Sequence, residues 1–227
     1  LYDLFDAANS LMFGVVRIVN FAHGEMMTVA MYAAVLLFGW FKLDPLWAIL
    51  PVAALLFIVG YALQAGLINP FIARPEHSQF ILLVAIGTII TNGMLMAFGP
   101  DARNAQVGYA YDSYQIGPIL LDKVRVYAAA ASLVVATGLF AFFRYAPLGK
   151  AIRACADNLR GALVVGLDVK RLYALTFGIG AACVGAAGCL MVLLIDVTPT
   201  LGPGYTLLAF IIVIVGGLGS MAGALLG

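Results

Sequence analysis

The chain has 227 residues, 64% of them hydrophobic and 10% charged, with a formal net charge of +1 and a mean hydropathy of +1.06. Soluble domains carry roughly 25% charged residues, so this composition excludes a water-soluble fold and excludes disorder. The lack of a basic tail argues against a nucleic-acid partner, and three cysteines without metal-type spacing imply no disulfide framework.

Charge-free stretches map the membrane spans. Residues 1–16 read as a first helix, and neutral gaps follow at 26–41, 45–73, 77–100, 126–143, 172–195 and 197–227. A spanning helix needs roughly 20 mainly apolar residues, so four gaps suffice and those at 26–41 and 126–143 must borrow from their flanks. The expectation is an all-α, polytopic helical transmembrane bundle of six to seven spans, forming one domain over residues 1–227. Strands of a membrane barrel would alternate over about 10 positions, whereas Phe80-Ile81-Leu82-Leu83-Val84-Ala85-Ile86 is apolar on every side. No basic lead-in of a signal peptide precedes the first helix. The missing initiator Met is what a part of a longer product would show.

In chain order, Asp3, Asp6 and Asn9 share one stripe of the first helix. Acids inside a bilayer cost about 2.5–3.5 kcal/mol each on insertion scales, so that stripe lies near the surface or faces a wet cavity. A polar interruption follows: Arg17, Asn20, His23, Gly24 and Glu25. It reads either as a turn with solvated charges or as a helix broken inside the membrane, where polar groups line a pathway. In the second reading Gly24 opens a new helix whose N–H groups attract a carboxylate. His23 and Glu25 do not make a zinc site, because H-E-x-x-H needs another histidine one turn on and the other one is His77.

Asp44 can cap the following helix, with Pro45 in its first turn, and Trp40, Phe41 and Trp47 flank that turn as an aromatic belt would. Pro75 and Pro147 mark further turns. Thr88, Thr91 and Asn92 fall at i, i+3 and i+4 on one face of the 79–98 helix; they either bond a neighbouring helix or line a pathway. Residues 144–172 hold six of the twelve basic residues, whereas the loop at 99–124 has two basic against three acidic. The positive-inside rule therefore places 144–172 in the cytoplasm and 99–124 outside. Counting back puts 69–78 inside and the 42–45 turn outside.

The cytoplasmic stretch is too long and too patterned for a plain helix–helix turn. Ala151, Ile152, Ala154 and Cys155 make a small-residue apolar face. Asn158 can cap a second short helix over 159–165, Gly166 supplies a left-handed stop, and Asp168 caps the next helix. Two such helices form a shaped surface for a partner, or lie on anionic lipid. Further on, Pro199, Gly202, Pro203 and Gly204 argue against a regular helix over 196–205. Gly216, Gly217, Gly219, Ser220 and Gly223 suit close packing of the last span or a second broken segment. Ser220 is not in a G-x-S-x-G elbow, since Leu218 and Ala222 take the glycine positions. No nucleophile–base pair stands out, so no enzyme is expected.

Three blocks, PLGKAIRACADNLRGALVVGLDVKRLYALTFGIGAACVGAAG (147–188), FGVVRIVNFAHGEMM (13–27) and IVGGLGSMAGALLG (214–227), resemble the permeases of branched-chain amino-acid ABC transporters, the LivH type. The resemblance implies an inner-membrane subunit of a binding-protein-dependent importer that moves branched-chain or related amino acids by alternating access. It implies as partners cytoplasmic ABC ATPase subunits, a sister permease or second copy and an external substrate-binding protein, within membrane lipid. It makes 148–172 a coupling loop that docks on the ATPase, with Gly149, Ala151, Arg153, Ala154, Asn158 and Gly166 at the motif positions. It favours the broken-helix reading, with Asn20, His23, Gly24 and Glu25 along the substrate pathway; Thr88, Thr91 and Asn92 are added to that pathway from their shared helix face. ATP and Mg then belong to the ATPase subunits, and no cofactor or metal is expected on this chain. Gly149-Lys150 is not a Walker A loop, because Arg144 stands where its first glycine should be and Ala151 where Ser or Thr is needed. The Asp3, Asp6 and Asn9 stripe departs from the family, which mostly has small or apolar residues there and continues past the last block. The alternative is a stand-alone secondary transporter or channel for a small polar solute, which would leave the patterned 148–172 loop without a role.

Overall fold

The computed structural model describes residues 20–71, 74, 76–105, 107–108, 113–116 and 119–216. The helix expected over 1–16, its acidic stripe, Arg17, Pro75 and the glycine-rich block at 217–227 lie outside the described residues. Helices α1 (His23–Phe41), α2 (Pro45–Leu63) and α3 (Glu76–Phe98) are followed by a short hairpin, β1 (Ser113–Ile116) and β2 (Ile119–Asp122). Then come α4 (Lys123–Tyr145), α5 (Pro147–Asp157), α6 (Leu159–Val164), α7 (Val169–Met191) and α8 (Leu201–Gly216).

Among the described residues five segments are long and apolar enough to span a membrane: His23–Phe41, Pro45–Phe71, Ser78–Phe98, Lys123–Tyr145 and Val169–Met191. A shorter apolar helix covers Leu201–Ile212. The helical polytopic bundle read from the charge gaps is thus the observed architecture. The two short gaps borrow as expected, α1 beginning at His23 and α4 running from Lys123 to Tyr145. Outside the helices, the loop after α3 contributes the antiparallel hairpin, with Ser113 opposite Asp122 and Ile116 opposite Ile119.

The expected punctuation is present in atomic detail. The Asp44 carboxylate accepts from the Leu46 N–H at 2.9 Å, with Pro45 opening α2. Asn158 Oδ1 accepts from the Gly161 N–H at 2.8 Å, Gly166 takes a left-handed φ of +80°, and Asp168 accepts from the Arg171 N–H at 3.1 Å. These contacts satisfy helix N–H groups that have no partner within their own helix.

One expectation is corrected. The stretch 196–205 is irregular only to residue 200, and Gly202, Pro203 and Gly204 lie in the first turns of α8. A proline there removes an N–H that has no intrahelical acceptor anyway. The glycines are compatible because neighbouring helices fix the backbone: a Cβ on Gly202 would come within 2.9 Å of Glu25 Cα.

Helix α7 is the hub. Within its membrane window 83% of the residues are buried, against 17% for α3 and for α4. Its most extensive partner is α2, which runs antiparallel to it. A Cβ on Gly185 would meet Ala53 and Val52, one on Gly178 would meet Phe57, and one on Gly60 would meet Ala181. On another side of α7, a Cβ on Gly188 would lie 2.6 Å from the Ala30 Cβ and 2.8 Å from the Met27 carbonyl of α1. Lipid tails are as apolar as leucine, so helices in a membrane associate through such close small-residue packing. The outward sides of α2, α3 and α4 carry exposed Leu50, Ile58, Ile89, Leu133 and Val134, as lipid contact requires.

The connections gather at two ends. At one, Asn69 Nδ2 donates to the Lys170 carbonyl at 3.3 Å, joining the end of α2 to the start of α7. At the other, Arg103 and Val197 pair through their backbones, and Asn104 Nδ2 donates to Asp196 Oδ1 at 3.0 Å.

Candidate functional site: a buried carboxylate at mid-depth

Residues Asn20–Ala22 form a turn immediately before α1. Asn20 Oδ1 accepts from the Ala22 N–H at 3.0 Å, and the His23 N–H donates to the Asn20 carbonyl at 3.1 Å. These bonds hold the chain in a non-helical path up to His23. Asn20, His23 and Glu25 are all buried, so the picture of an exposed turn with solvated charges does not describe them.

Three helices meet at Glu25. It lies in the first turn of α1. Gly202, in the first turn of α8, packs against its backbone, and Gly87 of α3 packs against its carboxylate, where a Cβ would come 3.3 Å from Oε1. Gly87 lies halfway along the 23-residue α3, so α1 and α8 both start level with the middle of a spanning helix. Bulk at Gly24 is excluded too, because a Cβ there would strike the Gly202 carbonyl and Thr206.

A short relay of hydrogen bonds fixes the carboxylate. The Gly24 N–H donates to Thr206 Oγ1 at 2.9 Å, and the Thr206 hydroxyl donates to Glu25 Oε2 at 3.0 Å. Thr28 Oγ1 in turn donates to the Gly24 carbonyl at 3.0 Å. The Gly24 N–H, one of the helix N–H groups expected to attract a carboxylate from outside, is therefore taken by Thr206, and the carboxylate at this point belongs to the protein.

Beside Glu25 opens a cavity of about 370 Å³ lined by Phe21, Glu25, Val84, Thr88, Thr91, Asn92, Pro203, Thr206, Leu207 and Phe210. Four of the sequence-derived pathway residues, Glu25, Thr88, Thr91 and Asn92, thus share one wall. Asn20, His23 and Gly24 are buried nearby in sequence but do not line it. Thr88 and Asn92 bond within their own helix, the Thr88 hydroxyl to the Val84 carbonyl at 2.9 Å and Asn92 Nδ2 to the Thr88 carbonyl at 2.8 Å. The alternative in which they bond a neighbouring helix is not what these contacts show. Phe21 closes the apolar side, edge-on to Phe80 with centroids 4.5 Å apart and 5.7 Å from Phe210.

Sequence reasoning missed Thr206 and Phe21. Thr206 stands directly after the 196–205 stretch, read as irregular because of its glycines and prolines. A signal was present all the same, since it and Tyr205 are the polar side chains of an otherwise apolar helix.

At the Asn69–Lys170 end, α5 and α6 form a compact knob. Gly149 sits on the end of α4, where a Cβ would come 2.5 Å from the Phe142 carbonyl and 2.7 Å from Phe143 Cα. Ile152 and Cys155 face inward and Ala151 is half-buried, while Arg153, Ala154, Asn158 and Gly166 are exposed. The apolar face assigned to this helix is therefore narrower than expected, because Ala154 follows Arg153 onto the outer side. Burial pushes the Cys155 thiol above its ordinary range, with a hydrogen bond to Tyr173 opposing part of that shift. Among the described residues no group of His, Cys, Asp and Glu side chains could hold a metal.

Residues 8–227 match the family described as branched-chain amino acid transport system, permease component. The chain is 27% identical to the high-affinity branched-chain amino acid transport system permease protein BraD of Pseudomonas aeruginosa, over its whole length and 78% of that protein. It is 28% identical to LivH of Escherichia coli, again over all of this chain and 78% of the relative. The probable permease LivH of Methanocaldococcus jannaschii is 25% identical over 92% of this chain and 67% of its own. No solved structure matches the chain. Together with its long apolar helices, the match makes this a multi-pass protein of the inner membrane, and the chain belongs to the permease components of branched-chain amino-acid transport systems.

Proposed function

We propose that the chain is the transmembrane subunit of an ATP-driven importer of branched-chain or related amino acids. Separate ATPase subunits hydrolyse ATP with Mg, an external binding protein delivers the substrate, and a second permease completes the pathway. The α5–α6 knob is the cytoplasmic coupling element and the loop at 99–124 faces outside. The observation that carries this reading is how the knob is built. Its inner side is locked to α4 at Gly149 and capped at Asn158, while its outer side leaves Arg153, Ala154, Leu163, Val164 and Val165 uncovered. A rigid knob with an uncovered apolar tip suits docking on a soluble partner, because movement of that partner then displaces whole helices. Asn20, His23, Gly24, Glu25, Thr88, Thr91 and Asn92, with Thr206, belong to the pathway or its support, at the mid-depth where discontinuous helices commonly place transport sites.

The test is uptake of labelled leucine into vesicles holding the full-length permease with its ATPases and binding protein, with ATP on the ATPase side. Uptake is expected to require ATP, and Arg153→Glu is expected to lower it at least tenfold while the permease still inserts. Uptake that follows an ion gradient and ignores both ATP and Arg153 would replace this reading with a secondary transporter.

A further inference from the structure

We propose that the cavity beside Glu25 recognises a primary ammonium group on a small aliphatic chain, the amino end of the substrate, with the Glu25 carboxylate as counter-ion. This rests on the permease reading above and names the chemistry of its pathway. A hydroxyl has one proton, and that of Thr206 is committed to Glu25 Oε2 while its oxygen already accepts from the Gly24 N–H. The Thr88 proton is committed to the Val84 carbonyl, and the Asn92 amide to the Thr88 carbonyl. The opposite orientation of Asn92 would set two oxygens against each other. What these groups leave for a ligand is therefore chiefly acceptors, the Glu25 carboxylate, Thr88 Oγ1 and Asn92 Oδ1, against one remaining Asn92 N–H.

A carboxylate ligand would meet the like charge of Glu25 here, whereas an ammonium brings three donors and the compensating charge. Glu25 is 5% exposed, and among the described residues no lysine or arginine pairs with it. A carboxylate so placed in a bilayer is costly without a partner cation. Gly87 puts no Cβ against Oε1 from the side of α3, and Thr91 Oγ1, with no hydrogen-bond partner among the described residues, adds a fourth polar contact. The apolar rest of the wall, chiefly Phe21, Leu207 and Phe210, suits a hydrocarbon chain. The volume of about 370 Å³ lies within the usual range for small-molecule sites.

The test uses full-length permease in nanodiscs and a hydrophobic carbodiimide, with modification of Glu25 read by mass spectrometry. Isoamylamine, which is leucine without its carboxylate, is expected to slow modification at least tenfold. Isocaproate, which is leucine without its amine, is expected to leave it unchanged. Asn92→Leu should raise the isoamylamine concentration needed at least tenfold, and Thr88→Val serves if that variant does not fold. Equal protection by both compounds, protection by isocaproate alone, or a Glu25 that the carbodiimide never reaches would each overturn the proposal. ATP-driven leucine uptake measured alongside separates the two readings. Uptake intact without amine protection defeats this proposal alone, and protection with gradient-driven uptake defeats the importer alone.

Discussion

Thr206 is the side chain on which the centre of the bundle turns, accepting from Gly24 and donating to Glu25 across two helices. Thr206→Val keeps its shape and removes both bonds, leaving a buried N–H and a buried carboxylate oxygen unpaired. Unmet hydrogen-bonding groups of this kind cost about 1–3 kcal/mol, so the variant should melt at a lower temperature in detergent and Thr206→Ser should recover most of the loss. A melting temperature unchanged by Thr206→Val would show that the relay does not hold α1 to α8. Cys155 makes a second prediction at this scale. Its folded thiol holds its proton to higher pH than the ordinary value of 9.0, so the native state gains relative to the unfolded one below that pH and loses the gain as pH climbs through the raised value. Maleimide labelling at neutral pH, mapped by peptide mass, should therefore be slow at Cys155 and should rise later with pH than for an exposed cysteine.

At the scale of elements, the small residues of α7 decide how near α1 and α2 can come. The Gly188 contacts with Ala30 and Met27 leave no room for a side chain. Gly188→Val should push α1 away and cost about 1–3 kcal/mol or more, the usual range for overpacking. Gly93→Val, on α3 where a Cβ would meet nothing within 4 Å, is the matched control. Thermal melts of the two variants check this, and equal losses would contradict the close-packing account. The starts of α1 and α8 are likewise set by contact. Gly24 and Gly202 let the two helix ends touch, and that touch brings Glu25 to the level of Gly87 on α3.

For the whole molecule, the two groups of connections predict a topology. Arg160 on α6 and Asp101 beyond α3 belong to opposite ends, and the positive-inside rule applied to 144–172 predicts that the first lies inside. Cys155, Cys183 and Cys189 are all buried, so cysteines introduced as Arg160→Cys and Asp101→Cys can be labelled against a low background. A membrane-impermeant maleimide applied to right-side-out vesicles should reach position 101 and leave position 160 unlabelled. Labelling of both from one side would overturn the assigned orientation and with it the cytoplasmic knob.

The sequence by itself determined the class, the spans and the caps of this protein. Spans need long uncharged runs because a bilayer admits few charges, and the runs at 45–73, 77–100 and 172–195 correspond to observed helices. N-caps depend on one side chain reaching an N–H two or three residues on, so Asp44, Asn158 and Asp168 could be assigned from local spacing alone, and Gly166 from the left-handed φ that a helix stop favours. The shared face of Thr88, Thr91 and Asn92 was equally legible, being a matter of helical period. What they face was not. Glu25 and Thr206 are 181 residues apart, and only the packing of α1 against α8 puts a hydroxyl on that carboxylate. The tertiary structure also decided that Gly202-Pro203-Gly204 continues as helix, because surrounding contacts outweigh a local propensity of about 1 kcal/mol per glycine. The contact that takes the Gly24 N–H leaves the Glu25 carboxylate as the charged group beside the cavity. Local spacing cannot carry that information, since it arises where helices distant in sequence touch.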